Sequence, residues 1–338
     1  MKWKILLLIF TIPLFGEEIG TRISALEAQM GEIRTETAQK NYGARFADDS
    51  FEKGIFGVEF FGSLLYWHAK LGGTEYAYAF ANQKLNRKSK ETKEQNFDWN
   101  FGYRLGIGVR LPVVSWEIFG TYTHYGSQNN EKNENLPPSF FARGQTAPTK
   151  SSSKIDYDTV ILELKKSSFF SRMLGIGTTI GVKKTWVDQR EEITYHLNKH
   201  DILKVKDQCT FQGVGPRIGL SGRWYLFAGF SFLTDIAFSL LYGEFDVKHA
   251  EASLDLKGSA HLFSPALDFF FGLHWDHPLD WAQLSLRLGY EADYLWREHQ
   301  AVKLEDTTSA KRPFRVTFSR NADDLTFYGM TLRGGVEF

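Results

Sequence analysis

From Phe97 to Leu111 the chain alternates without a break. Phe97, Trp99, Phe101, Tyr103, Leu105, Ile107, Val109 and Leu111 are large and apolar, while Asp98, Asn100, Gly102, Arg104, Gly106, Gly108 and Arg110 are polar or glycine. A strand sends successive side chains to opposite faces, so the segment predicts a strand with one greasy and one wet surface. Fifteen residues is roughly three times the usual soluble strand of about 5–6 residues. It exceeds the roughly 9–11 residues that cross a bilayer's hydrocarbon.

The same rhythm predicts ten strands: 54–69, 97–111, 113–126, 154–164, 172–190, 208–224, 230–248, 261–275, 281–299 and 324–338. In 281–299, Ala282, Leu284, Leu286, Leu288, Tyr290, Ala292, Tyr294 and Trp296 share one face, with Gln283, Ser285, Arg287, Gly289, Glu291 and Asp293 opposite. In 261–275 the greasy face runs from Phe263 through Pro265 to Trp275. Proline lacks an amide donor, so Pro265 and Pro216 predict a bulge or a local break. Long polar connections (70–96, 127–153, 191–207, 249–260, 300–323) alternate with short ones (111–113, 165–171, 225–229, 276–280). That is the loop pattern of a bacterial outer-membrane barrel. The expected fold class is all-β, a transmembrane antiparallel up-and-down β-barrel of about 10 strands (8–12 spanned by the reading), preceded by a short N-terminal helix.

Trp67, Trp99, Trp116, Trp186, Trp224, Trp275, Trp281 and Trp296 all fall toward a strand end or its turn. A soluble sandwich would bury most of them mid-strand, whereas a membrane barrel places aromatics in interfacial girdles. Tyr328, Met330, Leu332, Val336 and the terminal Phe338 alternate to the end of the chain. This pattern resembles the sorting signal read by the barrel-assembly machinery, which makes that machinery an expected partner beside outer-membrane lipid and lipopolysaccharide.

The first residues differ in kind. Lys2 and Lys4 precede an apolar run, Ile5–Phe15, as in a secretory signal peptide covering 1–16, although Leu14 is an unusual residue at −3. Ile19, Ile23, Leu26, Met30 and Ile33 follow a heptad pattern, which predicts an amphipathic helix over 17–40. Two roles stay open for it: a coiled coil joining protomers into a homo-oligomer, or a helix packed on the barrel mouth. Residues 41–53 read as a linker, and 54–338 as the barrel.

Bulk composition refines this picture. Forty basic and forty acidic residues give zero formal net charge, which argues against nucleic acid as a partner. The mean hydropathy of −0.30 would suggest a soluble chain, but alternating faces cancel in such an average. The single cysteine, Cys209, excludes an internal disulfide and a cysteine-built metal site; it reads as a buried thiol. No cofactor or metal is expected.

On GVEFFGSLLYWHA (57–69), FDWNFGYRLGIGVRLP (97–112), TWVDQ (185–189), GVGPRIGLSGRWYL (213–226), SLLYGEFDV (239–247) and the closing DLTFYGMTLRGGVEF, the chain resembles the pore-forming, major-outer-membrane-protein-like family of Legionella and of environmental relatives of Chlamydia. The resemblance implies an outer-membrane location and a pore. Chlamydial major porins are cysteine-rich and disulfide cross-linked; with Cys209 alone, no such network is expected here.

Candidate lumen residues are Arg104, Arg110, Glu117, Glu163, Lys183, Arg217, Arg223, Asp235, Asp268, Arg287, Glu291 and Arg333. They suit a water-filled pore for passive diffusion of small solutes and ions. They equally suit ion pairs filling a structural or adhesive surface barrel, since small barrels are packed with side chains. Catalytic readings are weaker. His124, Ser127 and Asn129 suggest a lipase-like set, and His274, Asp276 and His277 a dyad or metal site at a periplasmic turn. No Gly-x-Ser-x-Gly, His-Glu-x-x-His or phosphate loop is present, and no enzyme is expected. Lys84, Arg87, Lys88, Lys90 and Lys93 in the loop 82–96 offer an adhesive surface for anionic glycans.

Overall fold

A computed structural model describes residues 56–72, 77–80, 90–93, 97–111, 116–136, 147–171, 173–196, 202–251, 254–279, 281–306 and 316–338. The expected signal peptide (1–16), helix (17–40) and linker (41–53) lie outside the described residues, as do Lys84, Arg87 and Lys88. The strands are β1 (Gly57–Leu71), β2 (Ala77–Phe80), β3 (Lys90–Lys93), β4 (Asn100–Leu111), β5 (Trp116–Leu136), β6 (Ala147–Ser171), β7 (Leu174–His196), β8 (Ile202–Tyr225), β9 (Phe230–Glu251), β10 (Leu254–Pro278), β11 (Gln283–Asp306) and β12 (Val316–Glu337). Among the described residues, ten of them close into an antiparallel barrel in the order β1-β12-β11-β10-β9-β8-β7-β6-β5-β4, and β2 and β3 form a separate two-stranded hairpin.

Closure is sealed where the first and last barrel strands meet. β1 and β12 pair from Glu59↔Glu337 to Leu71↔Leu325. Beyond that register, Val58 and Phe338 exchange two backbone hydrogen bonds of 3.0 Å. We call this end, with the short turns, the lower end.

Alternation builds the wall as expected. Phe101, Tyr103, Leu105 and Ile107 on β4 point outward and are exposed, as are Leu286, Leu288 and Tyr290 on β11 and Ile236, Phe238 and Leu240 on β9. So continuous an apolar belt is stable only against lipid. The shortest wall seam, β4 with β5, runs from Gly102↔Tyr125 to Leu111↔Trp116, about the span a tilted strand needs to cross hydrocarbon.

Most barrel strands run well past the belt. Stretches expected as loops are instead strand, among them 127–136, 147–153, 191–196, 202–207, 254–260, 300–306 and 316–323, and the expected loop 70–96 contains the β2–β3 hairpin. On β9 the outward residues change from Leu240 and Tyr242 to Glu244, Asp246 and Lys248. The strand continues, but its outer face meets water, so the greasy–wet contrast that marks a strand in sequence disappears.

Both prolines interrupt pairing. β8 and β9 pair up to Val214↔Tyr242 and resume at Arg217↔Ser239, skipping Pro216 without a change of register. β10 and β11 pair only from Ala266↔Leu295 downward. Above Pro265, β10 keeps β9 as its neighbour, while β11 bulges between Leu295 and His299, with Arg297 in the left-handed region at φ 58°. The wall splits there into two flaps.

Two aromatic assignments need correction. Trp67 is not in a girdle: it is fully buried and faces inward. Phe97 and Trp99 precede β4, and Phe97 is also buried inside. Trp224 and Trp281 at the lower end and Trp99 at the upper end remain exposed at the belt edges.

Candidate functional site

The lumen has two halves of different chemistry. The lower half holds a cavity of about 260 Å³. Of the twelve lumen residues expected from sequence, all except Lys183 line it. Lys183 is fully buried, with its Nζ 2.7 Å from Asp268 Oδ1. Parity explains this placement, since each residue sits opposite the greasy face of its strand.

Nearly every charge has a partner, and several pairs reach across the lumen. Arg104 on β4 meets Glu291 on β11 at 2.8 Å. Arg217 on β8 bridges Asp268 on β10 and Glu163 on β6. At the lower mouth Arg110 contacts Glu337 at 2.7 Å and Glu117 at 3.4 Å. Arg223 meets Asp276 at 3.2 Å, Arg287 meets Asp235 at 3.1 Å, and Arg333 meets Glu59 at 2.6 Å. Charges enclosed in this way hold one another in place, because a lone one would be costly.

Glu59, Lys165, His274, Asp276, Asp293 and Glu337 also line the cavity and were missed. Glu59 shares parity with Phe61 and Ser63, and Asp293 lies on the wet face already recognised, so both were within reach of the alternation. The sequence places His274 and Asp276 at a turn. They lie inside β10, facing inward, with His274 Nε2 2.6 Å from Asp276 Oδ1. His277 points outward and stacks on Trp275.

Above the charges lies an aromatic ceiling. Phe327 of β12 packs 4.5 Å from Tyr157 of β6, 5.4 Å from Tyr125 of β5 and 6.2 Å from Trp67 of β1, centroid to centroid. Since β12 and β6 are not neighbours in the wall, these rings meet across the lumen. Leu65, Ile155, Val187, Phe211, Leu241, Phe245 and Leu295 extend the apolar filling. Cys209 is buried in it, its thiol 3.9 Å from the Glu298 carbonyl oxygen.

The catalytic candidates are pulled apart. His124 projects outward and bonds Asp158 at 2.8 Å. Ser127 projects inward, its hydroxyl donating to the Asp98 carbonyl at 3.2 Å. Three residues apart on one strand, they occupy opposite faces and cannot form a nucleophile–base pair. Among the described residues no group of His, Cys, Asp and Glu is arranged to hold a metal ion.

No curated protein matches the chain. Solved structures similar to it include the outer membrane protease OmpT from Escherichia coli (12% identity, 85% of this chain and 99% of that one, TM-score 0.44). The translocator domain of the autotransporter NalP from Neisseria meningitidis aligns at 12% identity over 94% of this chain and 97% of that one, TM-score 0.32. The toluene transporter TodX from Pseudomonas putida aligns at 8% identity over 85% and 90%, TM-score 0.26. At those values none of them carries a functional argument. The family model described as Legionella pneumophila major outer membrane protein precursor matches residues 57–338, the whole barrel, and so the chain belongs to that family of bacterial outer-membrane proteins.

Proposed function

We propose that the protein is a closed-state surface barrel: a charged vestibule open to the periplasm beneath a lumen filled by side chains. The observation that carries this reading is the contact of Phe327 with Tyr157 and Tyr125 across the lumen, directly above the charged layer. A barrel of this size has little interior to spare once its walls carry aromatics. Such a barrel serves the envelope as structure or surface contact, is not an enzyme, and is inserted by the assembly machinery through Tyr328, Met330, Leu332, Val336 and Phe338. Lipopolysaccharide around the belt and a homo-oligomer formed through residues 17–40 belong to the same proposal.

A second reading is favoured by the lower half. Eleven of the twelve charged candidates line a cavity, as in a porin-like channel for passive diffusion of small solutes; conduction would then require the ceiling to part. Planar-bilayer recording tests the choice. The closed reading expects no steps from the wild-type barrel and steps from a Trp67→Ala/Phe327→Ala variant. Ohmic wild-type channels would replace it with the second reading.

A further inference from the structure

Around the vestibule wall, one cross-strand row reads Ser63 (β1), Arg333 (β12), Arg287 (β11) and His274 (β10), each paired directly with the next. All four line the cavity. Its centre is unusual: two arginines stand directly opposite each other, an arrangement that costs stability in a sheet unless something compensates.

Each guanidinium is held in place from one side. Arg333 lies 3.4 Å over the Phe61 ring and donates to Glu59 at 2.6 Å; Arg287 lies 5.3 Å over Phe270 and donates to Asp235 at 3.1 Å. The rings are themselves seated on glycines. A Cβ at Gly106 would stand 2.1 Å from Phe61, and one at Gly289 would stand 2.6 Å from Phe270. The two carboxylates sit on the outer flanks, Glu59 on β1 and Asp235 on β9, so strand order puts no acid between the arginines. A guanidinium is a fork of several N–H donors with no acceptor. Among the described residues each uses a single one, and buried Arg287 Nε and Ser63 Oγ have no partner.

We propose that this row is a binding site for a small oxyanion, a phosphate or carboxylate entering from the periplasm and bridging Arg287 and Arg333, with the Ser63 hydroxyl as a further donor. Two planar forks side by side match the paired oxygens of such a group. The inference deepens the vestibule reading and rests on it.

The test uses the folded full-length protein in a phosphate-free detergent, titrated with inorganic phosphate and separately with acetate, and read by calorimetry and by the arginine Nε–H resonances. Saturable binding that shifts the Arg287 and Arg333 resonances is expected. Arg287→Gln and Arg333→Gln should each weaken it at least about tenfold, Arg287→Lys should also weaken it by losing the fork, and the milder Ser63→Ala should reduce it by less. Lys184→Gln, on the outer face beside Trp186, should leave it unchanged. Wild-type protein that shows no saturable binding, or resonances that do not move, overturns the site; so does undiminished binding in the folded arginine variants. Bilayer conductance is a separate readout: a conducting barrel that binds phosphate at these arginines removes the closed reading and keeps the site, whereas a silent barrel that binds none does the reverse.

Discussion

Trp67 Nε1 donates to Thr331 Oγ1 at 3.2 Å, and Thr331 Oγ1 in turn donates to Glu291 Oε2 at 2.8 Å. Glu291 is the carboxylate that holds Arg104, and the Arg104 guanidinium carbon lies 5.7 Å from the Trp67 ring centre. Ceiling and charged layer are therefore one unit, with the indole touching both.

Trp67→Ala should lower unfolding free energy by about 3–5 kcal/mol, the usual cost of removing a buried large aromatic. It should also raise conductance above the wild-type background. Trp67→Phe keeps a ring but loses the N–H, so it should cost less and stay silent. Urea unfolding in detergent together with bilayer recording checks both, and a conductance equal in all three proteins would refute the ceiling's role.

Lys183 is fully buried against Asp268, which Arg217 also contacts. Lys183→Met leaves Asp268 to Arg217 alone, so it should destabilise by less than the about 3–5 kcal/mol lost when a buried charge is stranded outright. Asp268→Leu takes the carboxylate from Arg217 as well and leaves the buried Lys183 ammonium without its partner, so it should cost about 3–5 kcal/mol. Chemical denaturation of both variants measures the difference.

His249 lies above the belt, seven residues beyond the outward Tyr242. Its Nδ1 is 2.5 Å from Asp207 Oδ1 and its Nε2 is 3.6 Å from Glu251 Oε2. The hydrogen bond to Asp207 and then the nearby Glu251 carboxylate outweigh burial and raise its pKa from 6.5 to about 9. A pKa raised by folding means the folded state binds the proton more tightly. The stabilisation is therefore complete below pH 6.5 and is lost as pH rises through about 9. Hydrogen exchange at the upper ends of β8 and β9 should accelerate over that window, and His249→Gln should flatten the dependence.

Phe338 closes the seam through its two backbone bonds to Val58, and its ring packs 5.6 Å from Trp281. Deleting it should lower unfolding free energy by about 1–3 kcal/mol from the two hydrogen bonds alone. It should also reduce the heat-modifiable band in outer-membrane fractions. An unchanged yield would mean that Phe338 is not needed for assembly.

The wall was legible because lipid forces a contrast between faces. Leu105, Leu288 and Phe238 must be apolar, and Arg104, Arg287 and Asp235 follow by parity. Where lipid ends, that force ends, and Ser151, Glu192 and Lys206 look like loop although they lie in strands. Trp67 misled for a different reason. β1 is apolar on both faces, with Leu64 and Tyr66 outward and Leu65 and Trp67 inward, so position near the strand end suggested a girdle. Its true partners, Phe327 and Tyr125, lie far off in sequence. Arg297 gave no warning either, since the left-handed region usually calls for glycine or asparagine.

The parting of β10 from β11 above Pro265 separates what lipid constrains from what it does not. An insertion, deletion or exchange by recombination within either flap leaves the rungs from Ala266↔Leu295 to Pro278↔Gln283 untouched. One extra residue below the proline would turn leucines into the water and arginines into the bilayer. Change is thus tolerated in the flaps, while the lower register is held to the letter.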